Sequence, residues 1–290
     1  MNSVCAQCFM GKRLELLRTL GTDEQATVMG KKMMRMYAES PADMDSAVLG
    51  GLVDEAIWQF YGIPADRLRE EKQLSNQFVM ERLDKIRQAI HAAPDPVYAA
   101  LQYAVLGNYL DFSALHGQVS FQKLDDMLDT ARSIELDEQV YRLLLKDFAA
   151  GTNFLYVTDN AGEIGFDRLF AETVQKHYPH LQITFLVRGG AVSNDATRED
   201  AQAVGISFPV LDSGNPIGGT SLSRICPEAL EAFRKADVIL AKGMGNTESL
   251  YGCGYNVYYA FLVKCARFVQ FFEKPLMTPM LVQDRKEKFS

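Results

Sequence analysis

Polar side chains follow several short apolar runs in the second half of the chain, at the points where those runs end. Asp159 and Asn160 come directly after the first run. Asp195 lies a few residues beyond the second, and Lys242 ends the fourth. If the runs are parallel strands, their carboxyl ends meet at one edge of a sheet, where ligands bind. We therefore expect carboxylates, an amide and an ammonium group to converge there.

The residue types at this edge predict a cation and a phosphate. Asp159, Asn160 and Asp195 offer hard oxygen ligands without a nearby histidine cluster, which suits Mg²⁺ or Mn²⁺ better than zinc. A helix beginning at about Gly162 would point free N–H groups at an anion. Lys242 adds a point charge of the kind that holds a phosphoryl group. Each feature alone also fits a helix cap or an ordinary turn. Their occurrence together at the ends of successive strands favours a binding site.

The cysteines carry a weaker signal. Cys5 and Cys8 form a C-x-x-C motif, but no second pair follows at the spacing of a zinc site. Packing of two small side chains in the first helix is the favoured interpretation, and a redox or metal role stays open. His177 and His180 flank a helix end, and we do not expect them to bind a metal.

The elements that position these residues change character near residue 150. Before it, apolar residues recur at helical spacing. Helices are predicted over 6–20, 23–38, 43–61, 66–92, 96–109, 121–132 and 136–148. After it, strands are predicted at 154–157, 183–187, 206–211, 238–241 and 268–272, with helices over 162–178, 196–204, 225–235 and 255–264.

This succession predicts an α/β fold in which an all-helical lobe, residues 1–150, caps a Rossmann-like doubly wound α/β/α lobe, residues 151–290. The chain of 290 residues carries a net charge of −7, so a nucleic-acid backbone would be repelled. It has no apolar run long enough for a membrane span and no pattern of a signal peptide, so we expect a cytoplasmic protein.

Several blocks resemble the metal-dependent damage-control phosphatase family, in the family's order and over nearly the whole chain. In the second half they are Asp159-Asn-Ala-Gly-Glu-Ile-Gly-Phe-Asp167, Asn194-Asp195-Ala-Thr, Lys242-Gly-Met-Gly-Asn246 with Glu248, and Leu262-Val-Lys-Cys265. In the first half they are Glu71-Lys72-Gln-Leu-Ser75-Asn76 and Gly107-Asn108-Tyr-Leu-Asp111-Phe112, and Cys5-x-x-Cys8 is similar to the N-terminal pair of the prokaryotic-type branch.

The resemblance implies a divalent metal (Mg²⁺, Mn²⁺, Co²⁺ or Ni²⁺) and hydrolysis of phosphate monoesters of small metabolites such as sugar phosphates. It implies that the metal ligands are Asp159, Asn160 and Asp195. It implies that Lys242 acts in catalysis by holding the phosphate, with substrate contacts from Asn108, Asp111, Glu163, Asn246 and Glu248. Arg188 and Ser193 depart from the residues expected at their positions, which leaves the substrate open.

The sequence leaves the nucleophile and the class of function open. The nucleophile is water or Asp159 itself, with water preferred. A protein-carboxyl methyltransferase is a second interpretation, although the loop after the first strand has only one glycine, Gly162, and so little room for an adenosyl cofactor. A protein that binds a sugar phosphate without turnover is the third. The oligomeric state is not predicted.

Overall fold

A computed structural model describes residues 3–41, 44, 46–110 and 121–283. The first half of the described chain is helical, as predicted. Its helices are α1 (Ser3–Leu20), α2 (Asp23–Glu39), α3 (Ser46–Tyr61), α4 (Arg69–Met80), α5 (Leu83–His91), α6 (Pro96–Gly107), α7 (Phe121–Thr130) and α8 (Glu138–Ala150), with a 3₁₀ turn at Ala131–Ser133. Asp95 caps α6, accepting the Tyr98 backbone N–H.

The long helix predicted over 66–92 is two helices, α4 and α5. The chain leaves helical geometry near Arg82, which has φ −107° and ψ −11°. The Arg82 guanidinium donates to the Phe78 carbonyl at 2.9 Å and pairs with Asp125 of α7. Contacts made outside the helix thus hold a break that no glycine or proline marks in the sequence.

The second half forms one six-stranded sheet in the order β3-β2-β1-β4-β5-β6. Its strands are β1 (Asn153–Val157), β2 (Gln182–Val187), β3 (Val210–Asp212), β4 (Val238–Lys242), β5 (Val257–Leu262) and β6 (Pro279–Gln283). Neighbours pair in parallel except β6, which runs antiparallel to β5. The intervening helices are α9 (Glu163–His177), α10 (Arg198–Ala203), α11 (Pro227–Lys235), α12 (Gly243–Leu250) and α13 (Ala266–Phe272).

Two predicted elements after β4 are wrong. The helix predicted over 255–264 is strand β5, whose residues are all buried because it lies between β4 and β6. The strand predicted at 268–272 is helix α13, in which only Phe268 is buried. A continuous apolar run in a short segment fits both structures, and tertiary packing decided between them. The sequence also missed β6 and placed β3 too early.

Helices cover both faces of the sheet, which confirms the doubly wound fold class. On one face, α9 and the helices α4–α6 and α8 pack around side chains such as Tyr156 and Phe185. On the other face, α11–α13 pack around Leu155, Phe261 and their neighbours. The carboxyl ends of β1, β2 and β4 lie at one edge, with the end of α6 beside them.

Helices α1–α3 form a smaller core of their own, built on Leu17, Met33 and Val53, and they contact α12 and α13. By contrast, α4–α6 and α8 share one core with the sheet. The division into two lobes at residue 150 stays a prediction. Among the described helices, none is long and apolar enough to cross a membrane.

Candidate functional site

Two loops at the carboxyl edge of the sheet pair with each other and bring the predicted metal ligands together. Asn160, in the loop after β1, forms an isolated antiparallel bridge with Asp195, in the loop after β2. The Ala196 N–H donates to the Asp159 carbonyl at 2.7 Å. Asp159, Asn160 and Asp195 therefore lie side by side, as the sequence predicted, and all three are buried.

Two amides hold the Asp159 carboxylate. Asn108 donates from Nδ2 to Asp159 Oδ2 at 2.9 Å, and Asn160 donates from Nδ2 to the same oxygen at 2.8 Å. Both amides also donate to Glu163 Oε2, at 3.1 Å and 2.7 Å. The Leu262 N–H donates to Asn108 Oδ1 at 3.1 Å, so the end of β5 fixes the orientation of Asn108.

The start of α9 is satisfied within the chain. Gly162, with φ +75°, is its N-cap, and the Gly162 N–H donates to Asn76 Oδ1 of α4 at 2.7 Å. The Asn160 N–H faces Glu163 Oε2 at 3.4 Å. The Gly162 and Asn160 N–H groups thus have partners within the chain, and the phosphate contact at this helix end stays a prediction.

The Lys242 side chain lies in the protein interior, beneath the predicted metal ligands. Its ammonium donates to the Ala104 carbonyl at 2.7 Å, to Glu163 Oε1 at 2.7 Å and to Asp167 Oδ1 at 2.8 Å. An ammonium has three protons, so these bonds use all of them. Burial alone would lower the pKa of Lys242, but Asp167 and Glu163 raise it overall, so the side chain stays charged. The ammonium protons thus have protein partners in this structure, and the predicted contact of Lys242 with phosphate stays a prediction.

Asn246 and Arg188 brace the loops around Asp195. The Arg188 guanidinium is buried and donates to Asp195 Oδ2 at 2.7 Å, to Thr220 Oγ1 at 2.8 Å and to Asn246 Oδ1 at 2.9 Å. Asn246 Nδ2 donates to the carbonyls of Thr158 and Lys242. Asn246 is fully buried with these partners, and its predicted contact with substrate stays a prediction.

The remaining predicted substrate contacts lie elsewhere. Glu248, on α12, faces α1 and α13: burial first, and then the Glu248 charge, raise the pKa values of Cys5 and Cys265. The predicted contact of Glu248 with substrate stays a prediction. Asp111 lies outside the described residues. Glu163 lies inside the cluster, where Lys242 and the two amides hold its oxygens.

The backbone of α12 touches the cluster at its first residue. Gly243 has φ +79°, and a Cβ at this position would collide with the Asp159 carboxylate. Glycine is required here for both reasons. The positive end of α12 thus lies against Asp159, where a helix dipole favours negative charge.

The buried groups at this edge do not balance in charge. Apart from Asp200, which pairs with Lys72 at 2.7 Å, the buried carboxyl groups among the described residues are Asp159, Glu163, Asp167 and Asp195, and the buried cationic groups are Lys242 and Arg188. When all four acids are ionised, they exceed the two cations by two negative charges, in a place where buried charge is costly. A divalent cation bound there would balance this charge.

The donor set fits a hard cation. Asp159, Asn160 and Asp195 present two carboxylates and one amide, and a carboxylate bonded through one oxygen can accept a metal through the other. Within the part of the chain that the structure describes, no three His, Cys, Asp or Glu side chains form a metal-binding group on their own. The amide of Asn160 and outside oxygens are therefore needed to complete a coordination shell.

Sequence reasoning missed Asp167 and Tyr156. The Tyr156 hydroxyl donates to Asp167 Oδ1 at 2.7 Å, and both side chains are buried beneath Lys242. One signal was available: Glu163 and Asp167 stand four residues apart and share a helix face. Two acids on a helix face that is otherwise apolar indicate a buried cation beside that face.

Comparison with known proteins identifies the family. The family model for the damage-control phosphatase ARMT1-like domain matches residues 1–278. The chain belongs to this family. A protein of Methanocaldococcus jannaschii named as uncharacterized is 35% identical over 212 residues, covering 69% of this chain and 67% of its own. A damage-control phosphatase of Pyrococcus horikoshii is 30% identical over 227 residues, covering 76% and 75%.

A further relative and a solved structure agree. A damage-control phosphatase of Archaeoglobus fulgidus is 26% identical over 258 residues, covering 86% of this chain and 87% of its own. The crystal structure of the same Pyrococcus horikoshii protein, described as a DUF89 family protein, superposes with a TM-score of 0.82 at 24% identity over the structural alignment, covering 98% of this chain and 99% of that one. That protein thus shares the α/β architecture described above. The names of these relatives favour a phosphatase over a methyltransferase.

Proposed function

We propose that this chain is a divalent-cation-dependent phosphatase that hydrolyses phosphate monoesters of small metabolites, sugar phosphates or related compounds. The observation that carries the proposal is the excess of two buried carboxyl groups over buried cationic groups, among the described residues, around Asp159, Asn160 and Asp195. A cation held there, Mg²⁺, Mn²⁺, Co²⁺ or Ni²⁺, would neutralise charge on phosphoryl oxygens. The relatives named as phosphatases support the same reaction class.

The chain's own residues prepare the site. Asn108 and Asn160 orient Asp159, and Arg188 orients Asp195, so the ligand oxygens need little rearrangement when charge develops. Lys242 keeps a positive charge beneath the cluster in a dry environment, where electrostatic interactions are strong.

Water is the nucleophile that the geometry favours. Two amide N–H groups donate to Asp159 Oδ2, which stabilises the carboxylate and makes that oxygen a poorer nucleophile. Attack through this oxygen would require Asp159 Oδ2 to leave both amide partners. Asp159 is therefore assigned to holding the cation.

The test is phosphate release from an aryl phosphate and from a panel of sugar phosphates, after chelation and after each cation is returned. We expect activity to vanish with chelator and to return with Mg²⁺ or Mn²⁺. Asp195→Asn should lower kcat on the order of 10²- to 10³-fold, the scale for losing one preorganised charged group. Asp212→Asn, at the end of β3 outside the cluster, is the matched control and should retain activity.

Two results would contradict the proposal. Full activity of the chelated protein would remove the cation from the reaction. Tight calorimetric binding of Mn²⁺ and a sugar phosphate without phosphate release would show a binding protein that does not turn over its ligand.

A further inference from the structure

Among the described residues, only one of the two carboxyl oxygens of Asp167 has hydrogen-bond partners. Its Oδ1 accepts from Lys242 Nζ at 2.8 Å and from the Tyr156 hydroxyl at 2.7 Å. Its Oδ2 is buried and has no hydrogen-bond partner among the described residues. A bare carboxylate oxygen in a dry interior is costly, whereas a protonated oxygen carries no charge to solvate. The geometry thus leaves Oδ2 as the place for a proton.

The groups packed against Asp167 come from three elements. Lys242 is on β4, Tyr156 is on β1, and Glu163 is one turn earlier on α9 itself. Burial raises the pKa of Asp167 to about 7, with Lys242 opposing the rise and Glu163 adding to it. One ammonium facing two carboxylates leaves one negative charge in excess within this inner group. Protonation of Asp167 removes that excess.

We propose that Asp167 is a positioning residue that carries a proton on Oδ2 when no cation is bound and releases it to solvent when a divalent cation enters. The inference rests on the cation site of the proposed function. When Asp167 is neutral, Glu163 is the carboxylate that balances the positive charge of Lys242. With Asp167 ionised, the whole cluster reaches the two-charge excess that a divalent cation neutralises. The O–H bond of Asp167 breaks, and the proton passes to buffer.

The proposal couples proton and cation through named contacts. Lys242 joins Asp167 to Glu163 through two bonds of 2.8 Å and 2.7 Å. Glu163 in turn accepts from the amides that hold Asp159. Because the cation and the proton compete for the same excess charge, cation affinity rises with pH until Asp167 is fully ionised. Asp167 touches neither cation nor substrate, so its effect is indirect.

The first measurement uses the metal-free protein and no substrate. Infrared difference spectra between about pH 5 and about pH 9 should show a protonated carboxyl band that titrates with a midpoint near 7, and Asp167→Asn should lose it. Tyr156→Phe removes a bond that favours the charged form, so its midpoint should move upward. If Asp167→Asn does not fold, this shift in Tyr156→Phe decides the assignment alone.

The second measurement is calorimetric titration with Mn²⁺ in buffers of different ionisation enthalpy. Wild-type protein should release about one proton per Mn²⁺ at about pH 6 and almost none at about pH 8.5. Asp167→Asn should release none from this group. Asp147→Asn is the matched control, because Asp147 also accepts from a tyrosine, Tyr258, at 2.6 Å, and sits at the other end of the sheet. This variant should behave as wild type.

Either of two findings would overturn the inference: no carboxyl band in the metal-free wild type at about pH 6, or equal proton release from Asp167→Asn and wild type. Its failure is distinguishable from failure of the proposed function. A protein that shows the band and the proton release but hydrolyses no phosphate ester keeps the inference and loses the phosphatase.

Discussion

At the scale of single residues, Arg188 shows how a ligand is held in place. Its planar guanidinium reaches Asp195, Thr220 and Asn246 at once, which come from two loops and from α12. Lysine would keep the charge but present one ammonium where three fixed directions are needed. The expected consequence is a mobile Asp195 rather than an unfolded protein.

Arg188→Lys should therefore weaken Mn²⁺ binding about 10- to 100-fold, the usual effect of losing a group that orients a metal ligand. Calorimetric titration measures the change. Arg198→Lys provides the control, because Arg198 pairs with Asp212 at 2.6 Å at the same edge of the sheet but outside the cluster. Equal Mn²⁺ affinity in the two variants would show that Asp195 needs no support from Arg188.

The predictability of the site from sequence also differs residue by residue. Asp159, Asn160 and Asp195 could be placed together because residues at the ends of parallel strands share an edge. The directions of Lys242 and Asn246 could not, since a residue at a strand end can face either the open edge or the interior. Partners distant in sequence, Ala104 and Asp167 for Lys242, decided the direction.

At the scale of elements, the strands flanked by clear helices were the predictable part. β1, β2 and β4 are buried runs, and each was predicted within about two residues. In segment 255–272 the predicted helix is a strand and the predicted strand is a helix, because Val257–Leu262 and Ala266–Phe272 are both short and apolar. Pairing with β4 and β6 makes the first a strand, and the second is a helix that packs Phe268 onto Phe261.

At the turn from β4 into α12, the backbone lies against a predicted metal ligand, Asp159. Gly243→Ala would place a methyl group against the Asp159 carboxylate, in addition to the strain of φ +79°. We expect loss of Mn²⁺ affinity on the order of 10²-fold, since a ligand displaced by even about 1 Å loses its function. Thermal unfolding should show a folded protein of lower stability.

Gly254→Ala separates the two contributions to this loss. Gly254 also has a positive φ, +86°, but nothing lies within 4 Å of the position of an added Cβ. It should lose about 1–2 kcal/mol of stability from the left-handed backbone alone and keep its affinity for Mn²⁺. If both variants lose affinity equally, strain rather than contact with Asp159 is responsible.

At the scale of the whole molecule, the cores decide which parts unfold together. Helix α6 and strand β1 contribute to one continuous core, although they lie on either side of the boundary predicted at residue 150. Helices α1–α3 depend on a smaller core of their own. A small core buries less apolar surface and supplies less free energy against opening.

Native-state hydrogen exchange, followed by mass spectrometry across a denaturant series, should therefore show α6 and β1 opening with the same free energy and α1–α3 opening with a lower one. Two leucines that are both fully buried provide matched variants: Leu101 in α6 and Leu17 in α1. Leu101→Ala should lower the exchange free energy of α6 and β1 together by about 2–5 kcal/mol. Leu17→Ala should lower it in α1–α3 alone. Exchange from α6 at a lower free energy than from β1 would instead make residues 1–150 an independent unit, because a boundary between cooperative units is a boundary in opening free energy.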